Sequence, residues 1–194
     1  MSESNGSKQK WLKKAYKHFA EYGPENLSIL KISKEINLLR TTFYYHFADK
    51  EDLIEQLLIM HYKETDSYVA AFKEHCKVLI PDLHNLLEQI QTAIKFHRQL
   101  FVNRHIPNYN MVYMRVNDTT NKVEVPLFIR YYKFDVHYEV AEDLWTTLKD
   151  TWYANINVND LSAAAMIKVT ENIMKNILAF VGTKLFVEIQ EPKK

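Results

Sequence analysis

Leu27 to Leu53, LSILKISKEINLLRTTFYYHFADKEDL, reads as a short helix, a turn, a second short helix and the start of a third. Leu27, Ile29, Leu30, Ile32 and Ile36 suit a helix that Ser28 can cap, because a serine oxygen accepts the orphan amide hydrogens of a first turn. That helix should end near Asn37, since asparagine tolerates the left-handed backbone of a sharp turn. A second helix is predicted from about Leu39 to Tyr45. At about 100° per residue, Leu39, Phe43 and Phe47 fall on one side of it and Thr41, Tyr44 and Tyr45 on the other, with Arg40 and Thr42 on the flanks. One face packs. The other presents a guanidinium, hydroxyls and phenols, groups that bond base edges and phosphate oxygens. Asp49 then caps a third helix. Its first turn carries Lys50, so that cation and helix terminus together favour an anion.

Tyr44-Tyr45-His46-Phe47, followed by Ala48-Asp49-Lys50-Glu51-Asp52-Leu53, resembles the signature of TetR-family transcriptional regulators, in which Tyr-x-His-Phe runs on into x-x-Lys-x-x-Leu. Ala15, Phe19, Gly23, Ser28, Ile32 and Leu38 also stand where that family places its first helix, the following glycine, the capping hydroxyl and the turn. The resemblance covers roughly the first 55 residues. Four positions depart from the pattern: Asn37 replaces the turn glycine, Ser33 the packed alanine, Leu39 the hydroxyl cap, and Thr41 a small residue. The resemblance implies an all-α chain, with a three-helix helix-turn-helix DNA-binding domain over residues 1–50 and a larger helical domain over 51–194 for effector binding and dimerisation. It further implies a homodimeric repressor that leaves a palindromic operator when a small molecule binds.

Composition agrees with a helical body. Hydrophobic residues make up 47% of the 194, enough to fill a core, and only three glycines occur, too few for a turn-rich β fold. No run of 18 apolar residues exists and the N-terminus is polar, so neither a membrane span nor a secretory signal is expected. The lone Cys76 can form no internal disulfide, which fits a reducing cytoplasm. Net charge is +1, but residues 1–50 hold nine Lys or Arg against five Asp or Glu, a balance of +4 that leaves −3 for the other 144. The basic end is the end with the motif. Lys8, Lys10, Lys13, Lys14 and Lys17 could equally do no more than solvate the outer face of the first helix.

Leu12, Ala15, Tyr16 and Phe19 recur at helical spacing until Gly23-Pro24 stops the first helix. The helix from Asp49 should continue through Leu53, Leu57, Met60 or His61, and Tyr68 to about Cys76. Pro81 should open another, with Leu83, Leu87, Ile90, Ile94 and Phe101 on its apolar face. Pro107 and the asparagines at 108, 110, 117 and 121 predict turns and one short helix, followed by a helix from about Pro126 to Tyr153. Asn155 to Asp160 break the chain before a last helix over about Leu161 to Val187.

Candidate DNA contacts are Ser28, Arg40, Thr41, Thr42, Tyr44, Tyr45, His46 and Lys50: Arg40, Thr41 and Thr42 for bases, the rest for phosphates. His46 lies near the packed side, so a turn-ordering role is an even alternative. The aromatic residues between 62 and 153 suggest a pocket for a mostly apolar or aromatic effector, with Tyr62, Phe96, Tyr131, Phe134, Tyr138 and Trp145 as candidate lining, although helical spacing more often makes ordinary core. Last, the broad apolar stripe of the terminal helix makes Val169, Ile173, Ile177 and Phe180 candidates for a four-helix dimer interface. Two heads related by a two-fold axis must sit about 34 Å apart to enter successive major grooves. No metal site or cofactor is expected, because the histidines show no chelating spacing. No enzyme is expected either, because none of the glycine-dependent motifs or other short catalytic signatures is present. A small helical enzyme and a helical interaction module remain the alternative functions.

Overall fold

The computed structural model describes the backbone of residues 2–189 and the side chains of residues 6–179. Among the described residues it holds helices and no strand. The elements are α1 (Ser2–Tyr22), α2 (Ile29–Glu35), α3 (Arg40–His46), α4 (Lys50–His75), a short wide helical turn over Leu79–Leu83, α5 (His84–Gln89), α6 (Gln91–Val102), α7 (Pro107–Tyr132), α8 (Tyr138–Asn155) and α9 (Ala163–Ile189). No described helix is long and apolar enough to cross a membrane.

Each break in the N-terminal third has a local cause. Gly23 takes φ +78 and returns its amide to the Phe19 carbonyl at 2.9 Å, ending α1. A Cβ there would meet Gln99 Oε1 of α6 at 3.0 Å, so the glycine also permits close helix packing. Ser28 caps α2 by accepting from the Lys31 amide. Asn37 ends the helix at φ 53, with the Leu38 amide reaching back to the Ser33 carbonyl at 3.0 Å; the expected turn forms without glycine. Ser33 is buried, but its hydroxyl donates to the Leu30 carbonyl, so a serine packs where an alanine would. Asp49 caps α4 through the Asp52 amide at 2.8 Å, and Asp52 accepts in return from the Ala48 amide at 2.9 Å, satisfying two orphan donors reciprocally.

One expectation about this region is corrected. Leu39 does not pack beside Phe43 and Phe47; it is 76% exposed. It is the residue before the helix, with extended φ −66 and ψ 142, so helical phase does not govern its direction.

Two apolar clusters make the core. The first joins Trp11, Phe19, Phe43 and Phe47 to Leu57, Phe96, Tyr113 and Trp152, so α1 to α4 and the following helices share buried surface. The second gathers Phe72, Leu79, Leu83, Phe128, Trp145 and Met174. Leu87 and Ile173 pack against both.

Two of the predicted helix boundaries are corrected. Residues 107–132 are one continuous helix rather than turns, and the following break lies at Lys133–His137 instead of before Pro126. Asn117, Thr120, Asn121 and Glu124 recur at helical spacing and are buried, so polar residues that look like turn signals form an inward stripe. Pro126 is tolerated inside α7 because it and Lys122, whose carbonyl loses its bond, both face solvent. The real break is made by Lys133 at φ 55. The helix expected from Pro81 through Phe101 is likewise two helices, interrupted at Ile90.

Candidate nucleic-acid interface and effector cavity

The face of α3 that can meet a ligand is set by what α3 buries. Phe43 is fully buried, edge-on to Trp11 at 5.3 Å and tilted on Phe47 at 5.1 Å. Arg40, Thr41, Tyr44 and Tyr45 consequently stand exposed, Tyr45 at 76%. Arg40 donates to the Tyr44 hydroxyl at 3.0 Å, so guanidinium and phenol form one polar edge. Thr42 is different. Its hydroxyl donates to the Leu39 carbonyl at 2.7 Å and accepts from Trp11 Nε1 at 3.2 Å, fixing the entry to α3 from the inside. His46 bonds Ser7 of α1 at 2.6 Å, and burial with the nearby Lys8 lowers its pKa, so it orders the helix end. Lys50 lies at the start of α4 with only a long 3.4 Å contact to the Glu25 carbonyl. Ser28 is committed to its cap, as above. Of the eight candidate contacts, the structure therefore leaves Arg40, Thr41, Tyr44, Tyr45 and Lys50 open to an external partner.

Not all the lysines of α1 are equivalent. Lys14 pairs with Glu35 at 2.7 Å, and His18 bonds the same carboxylate at 2.8 Å. These two hydrogen bonds hold Glu35 down to about 2. The pairing ties α1 to α2, a role composition could not reveal.

A cavity of about 320 Å³ opens between α4, α5, α6, α7 and α8. Its walls combine apolar residues such as Leu86, Leu87, Ile90 and Val116 with an unexpected polar set: His61, His97, Asn117, Glu124 and Lys149. Tyr16 Oη meets His61 Nδ1 at 2.7 Å, and His61 Nε2 meets His97 Nδ1 at 3.1 Å, a buried chain linking α1 to the cavity wall. Burial holds both imidazoles neutral, His61 down to about 3 and His97 well below its usual range. Glu124 accepts from Tyr68 at 2.6 Å, from Trp145 at 2.9 Å and from Lys149 at 3.1 Å. Desolvation pushes its carboxyl up, but Lys149 and these hydrogen bonds outweigh it and hold the net pKa below the usual value.

None of the six aromatic residues expected as lining stands among the walls of this cavity, although Trp145 lines a smaller one that adjoins it. Phe96 is core, stacked at 4.3 Å on both Tyr16 and Phe19. Tyr62 lies under the Arg115 guanidinium, Phe134 packs on Phe128 and Tyr132, and Tyr131 and Tyr138 are exposed. Trp145 donates to the wall residue Glu124. The reason is phase: α4 turns His61, Thr65 and Tyr68 inward, and α8 turns Lys149 and Tyr153. Among the described residues no cluster of three His, Cys, Asp or Glu could hold a metal ion. Burial raises the Cys76 thiol to about 11, so it is inert packing.

The family model for bacterial regulatory proteins of the tetR family matches residues 12–57, the segment containing the α2–α3 pair and the start of α4. Residues 12–57 are therefore a TetR-family N-terminal domain. HTH-type transcriptional regulators from Staphylococcus aureus strains USA300 and NCTC 8325 are 30% identical to this chain over 89 residues. The match takes in 46% of this chain and 44% of the relative, so the chain covers less than half the length of these curated relatives. Solved structures extend the likeness to the helical body. A transcriptional regulator from Saccharomonospora viridis, in complex with choline, superposes with a TM-score of 0.67 at 16% identity, over 88% of this chain and 96% of that one. A TerR/AcrR-family regulator from Aquifex aeolicus gives 0.55 at 18% identity, over 86% and 97%. At such identities these two establish the fold alone, and they bear out an N-terminal helix-turn-helix unit joined to a larger helical body.

On α9, the expected interface residues Val169, Ile173 and Ile177 are half-buried and pack against the chain's own clusters. Leu178 is exposed on the same helix, and Val140 on α8, which packs against α9. The side chain of Phe180 lies outside the described residues.

Proposed function

We propose that this TetR-family regulator binds a palindromic operator as a homodimeric repressor and releases it when a small molecule enters the cavity. The observation that carries the reading is the exposed edge of α3, Arg40, Thr41, Tyr44 and Tyr45, standing over a fully buried Phe43 at the basic end of the chain. Arg40 and Thr41 read base edges, while Tyr44, Tyr45 and Lys50 hold phosphates. Ser28, Thr42 and His46 position the head: their polar atoms already serve a cap, the Trp11 indole and Ser7. Support for an effector comes from the cavity and its buried link to α1, and from the choline complex of the Saccharomonospora viridis protein. The chain divides for these tasks near residue 50, where α4 leaves the reading head.

Selection of preferred duplexes from a random pool, with and without cell extract, tests this reading. A recovered two-fold symmetric site whose binding the extract abolishes supports it; the absence of any preferred sequence overturns it. Arg40→Ala should relax the preferred sequence at a cost of about 1–3 kcal/mol, whereas Lys50→Ala should weaken all duplexes alike and reduce the salt slope by about 1. Equal losses by both variants on specific and scrambled DNA would contradict this division of roles.

The dimer reading uses the outer faces of α8 and α9. Leu178→Glu should give a folded monomer with greatly weakened operator binding, because Leu178 is 43% exposed in the single chain. Sedimentation and thermal melting check it together: a variant that stays dimeric at micromolar concentration places the interface elsewhere.

A further inference from the structure

The cavity's polar groups can be sorted by what they still offer an occupant. Glu124 takes hydrogens from Tyr68, Trp145 and Lys149, and Lys149 also donates to Thr120 at 3.0 Å, so this ion pair presents no net charge. His61 uses both ring nitrogens, on Tyr16 and on His97. His97 Nε2 and Asn117 Nδ2 are buried and turn no accessible surface to the space. Glu64, Ser67 and Gln89 are exposed and belong to the rim.

Two hydroxyls remain, Thr65 on α4 and Tyr153 on α8. Neither makes a side-chain hydrogen bond among the described residues, and neither oxygen is one of the buried atoms left without a partner. Both oxygens therefore keep accessible surface on residues that are otherwise buried, in the wall of the cavity. Thr65 can donate as readily as accept, so it sets no ligand class.

Tyr153 does. It lines both this cavity and the adjoining one of about 50 Å³, and its ring is held against His97 at 5.2 Å and Tyr113 at 6.4 Å. Burial first, then Tyr113 and Glu124, hold its phenol well above the usual range, so it keeps its hydrogen. A hydroxyl dipole turns in the local field. The Glu124 carboxylate draws that hydrogen toward itself and leaves the oxygen lone pairs to the cavity. Tyr68 is oriented in the same sense, its hydrogen given to Glu124 at 2.6 Å. The wall thus presents phenol oxygens that accept. A ligand that covered Tyr153 Oη with no hydrogen to give would leave it unpaired, at a cost in affinity. Charge narrows the donor further: an ammonium ion would meet Lys149, and a carboxylate would meet Glu124. Among uncharged donors a hydroxyl adds the least polar surface to bury against apolar walls.

We propose that the cavity takes an uncharged alcohol or phenol whose hydroxyl donates to Tyr153 Oη, its apolar remainder lying along Leu86, Leu87, Ile90 and Val116. The proposal rests on the effector reading above and names the ligand class of that site.

The test uses the full chain and two skeletons, phenylbutyl and cyclohexylbutyl, each carried as an alcohol, its methyl ether, a hydrocarbon, an ammonium ion and a carboxylate. Titration followed by nuclear magnetic resonance reads the binding. On at least one skeleton the alcohol should bind about tenfold tighter than each of the others, the fold-change of one hydrogen bond to a buried oxygen. Tyr153→Phe should bring the alcohol to within about threefold of its ether and leave ether and hydrocarbon binding unchanged. Its melting curve should match that of the wild type, because the deleted oxygen makes no hydrogen bond in the protein. The wild-type series decides the ligand class even if that variant does not fold. An ether, a hydrocarbon or an ion that matches the alcohol, an alcohol preference that survives in Tyr153→Phe, or no binding by any compound would each overturn the proposal. Operator binding, measured alongside, separates this from the regulator reading. An ether or ion that outbinds the alcohol and releases DNA overturns the ligand class and leaves the regulator standing. An alcohol that binds through Tyr153 without altering DNA affinity keeps the ligand class and overturns release by a cavity ligand.

Discussion

Lowering the pH from 7.5 to 5 should remove about 4 kcal/mol of folding stability, about 2 kcal/mol from each of the buried His61 and His84, with His97 adding to the loss in the same direction. Burial lowers His61 to about 3, His84 to about 4 and His97 well below its ordinary value. Each is neutral in the folded chain: His61 and His97 in the chain from Tyr16, His84 against the Thr170 hydroxyl at 2.8 Å. The sign follows from where the protons go. Below about 6.5 the unfolded chain takes up protons that the folded one refuses, so stability is complete above that pH and is lost as pH falls toward the folded values. The lowered carboxylates Glu35, Asp52, Asp82 and Asp160 act in the same direction but only at lower pH, below about 4.5. Urea unfolding at stepped pH measures the effect, and His84→Gln should reduce the loss by about 2 kcal/mol. A stability that stays flat between pH 7 and 5 would show that the folded and unfolded chains take up protons equally, with the three imidazoles unshifted by burial.

Trp11→Ala should cost about 3–5 kcal/mol and cripple operator binding without touching any group that faces DNA. Trp11 is fully buried in α1, edge-on to Phe43, and its indole holds the Thr42 hydroxyl that braces the start of α3. Removing it leaves a cavity under α3 and frees that hydroxyl. Trp11→Phe, which keeps a ring, should cost less, about 1 kcal/mol of it for the lost hydrogen bond. Tyr45→Ala is the contrast: at 76% exposure it should leave stability unchanged and weaken DNA binding. If Trp11→Ala unfolded at nearly the wild-type urea concentration, the indole would not be what holds α3.

The N-terminal head could be read from sequence because local chemistry dictates it. Ser28 and Asp49 cap helices with their own side chains, Asn37 turns at positive φ, and the packed phase of α3 follows from Phe43 and Phe47. Each of these acts within about five residues, so neighbours in sequence suffice. The same logic misleads where a local signal has a distant cause. Asn117 and Asn121 look like turn formers, yet they lie inside a 26-residue helix, and Asn121 donates to Glu142 and Thr146 of α8. The spacing of Asn117, Thr120, Asn121 and Glu124 was the available clue, since a polar stripe with helical period is still a helix.

By itself, then, the sequence determined the fold class, the helix-turn-helix unit and the basic end that carries it. Tertiary structure alone decided which aromatic residues are core and which polar residues line the cavity. His61 and His97 are 36 residues apart, and Glu124 and Lys149 are 25 apart. Helical periodicity fixes which residues share a face, but not which faces meet. The meeting of α4, α6, α7 and α8 is set by how two apolar clusters close around Leu87 and Ile173, and only that closure turns dispersed polar side chains into one cavity wall.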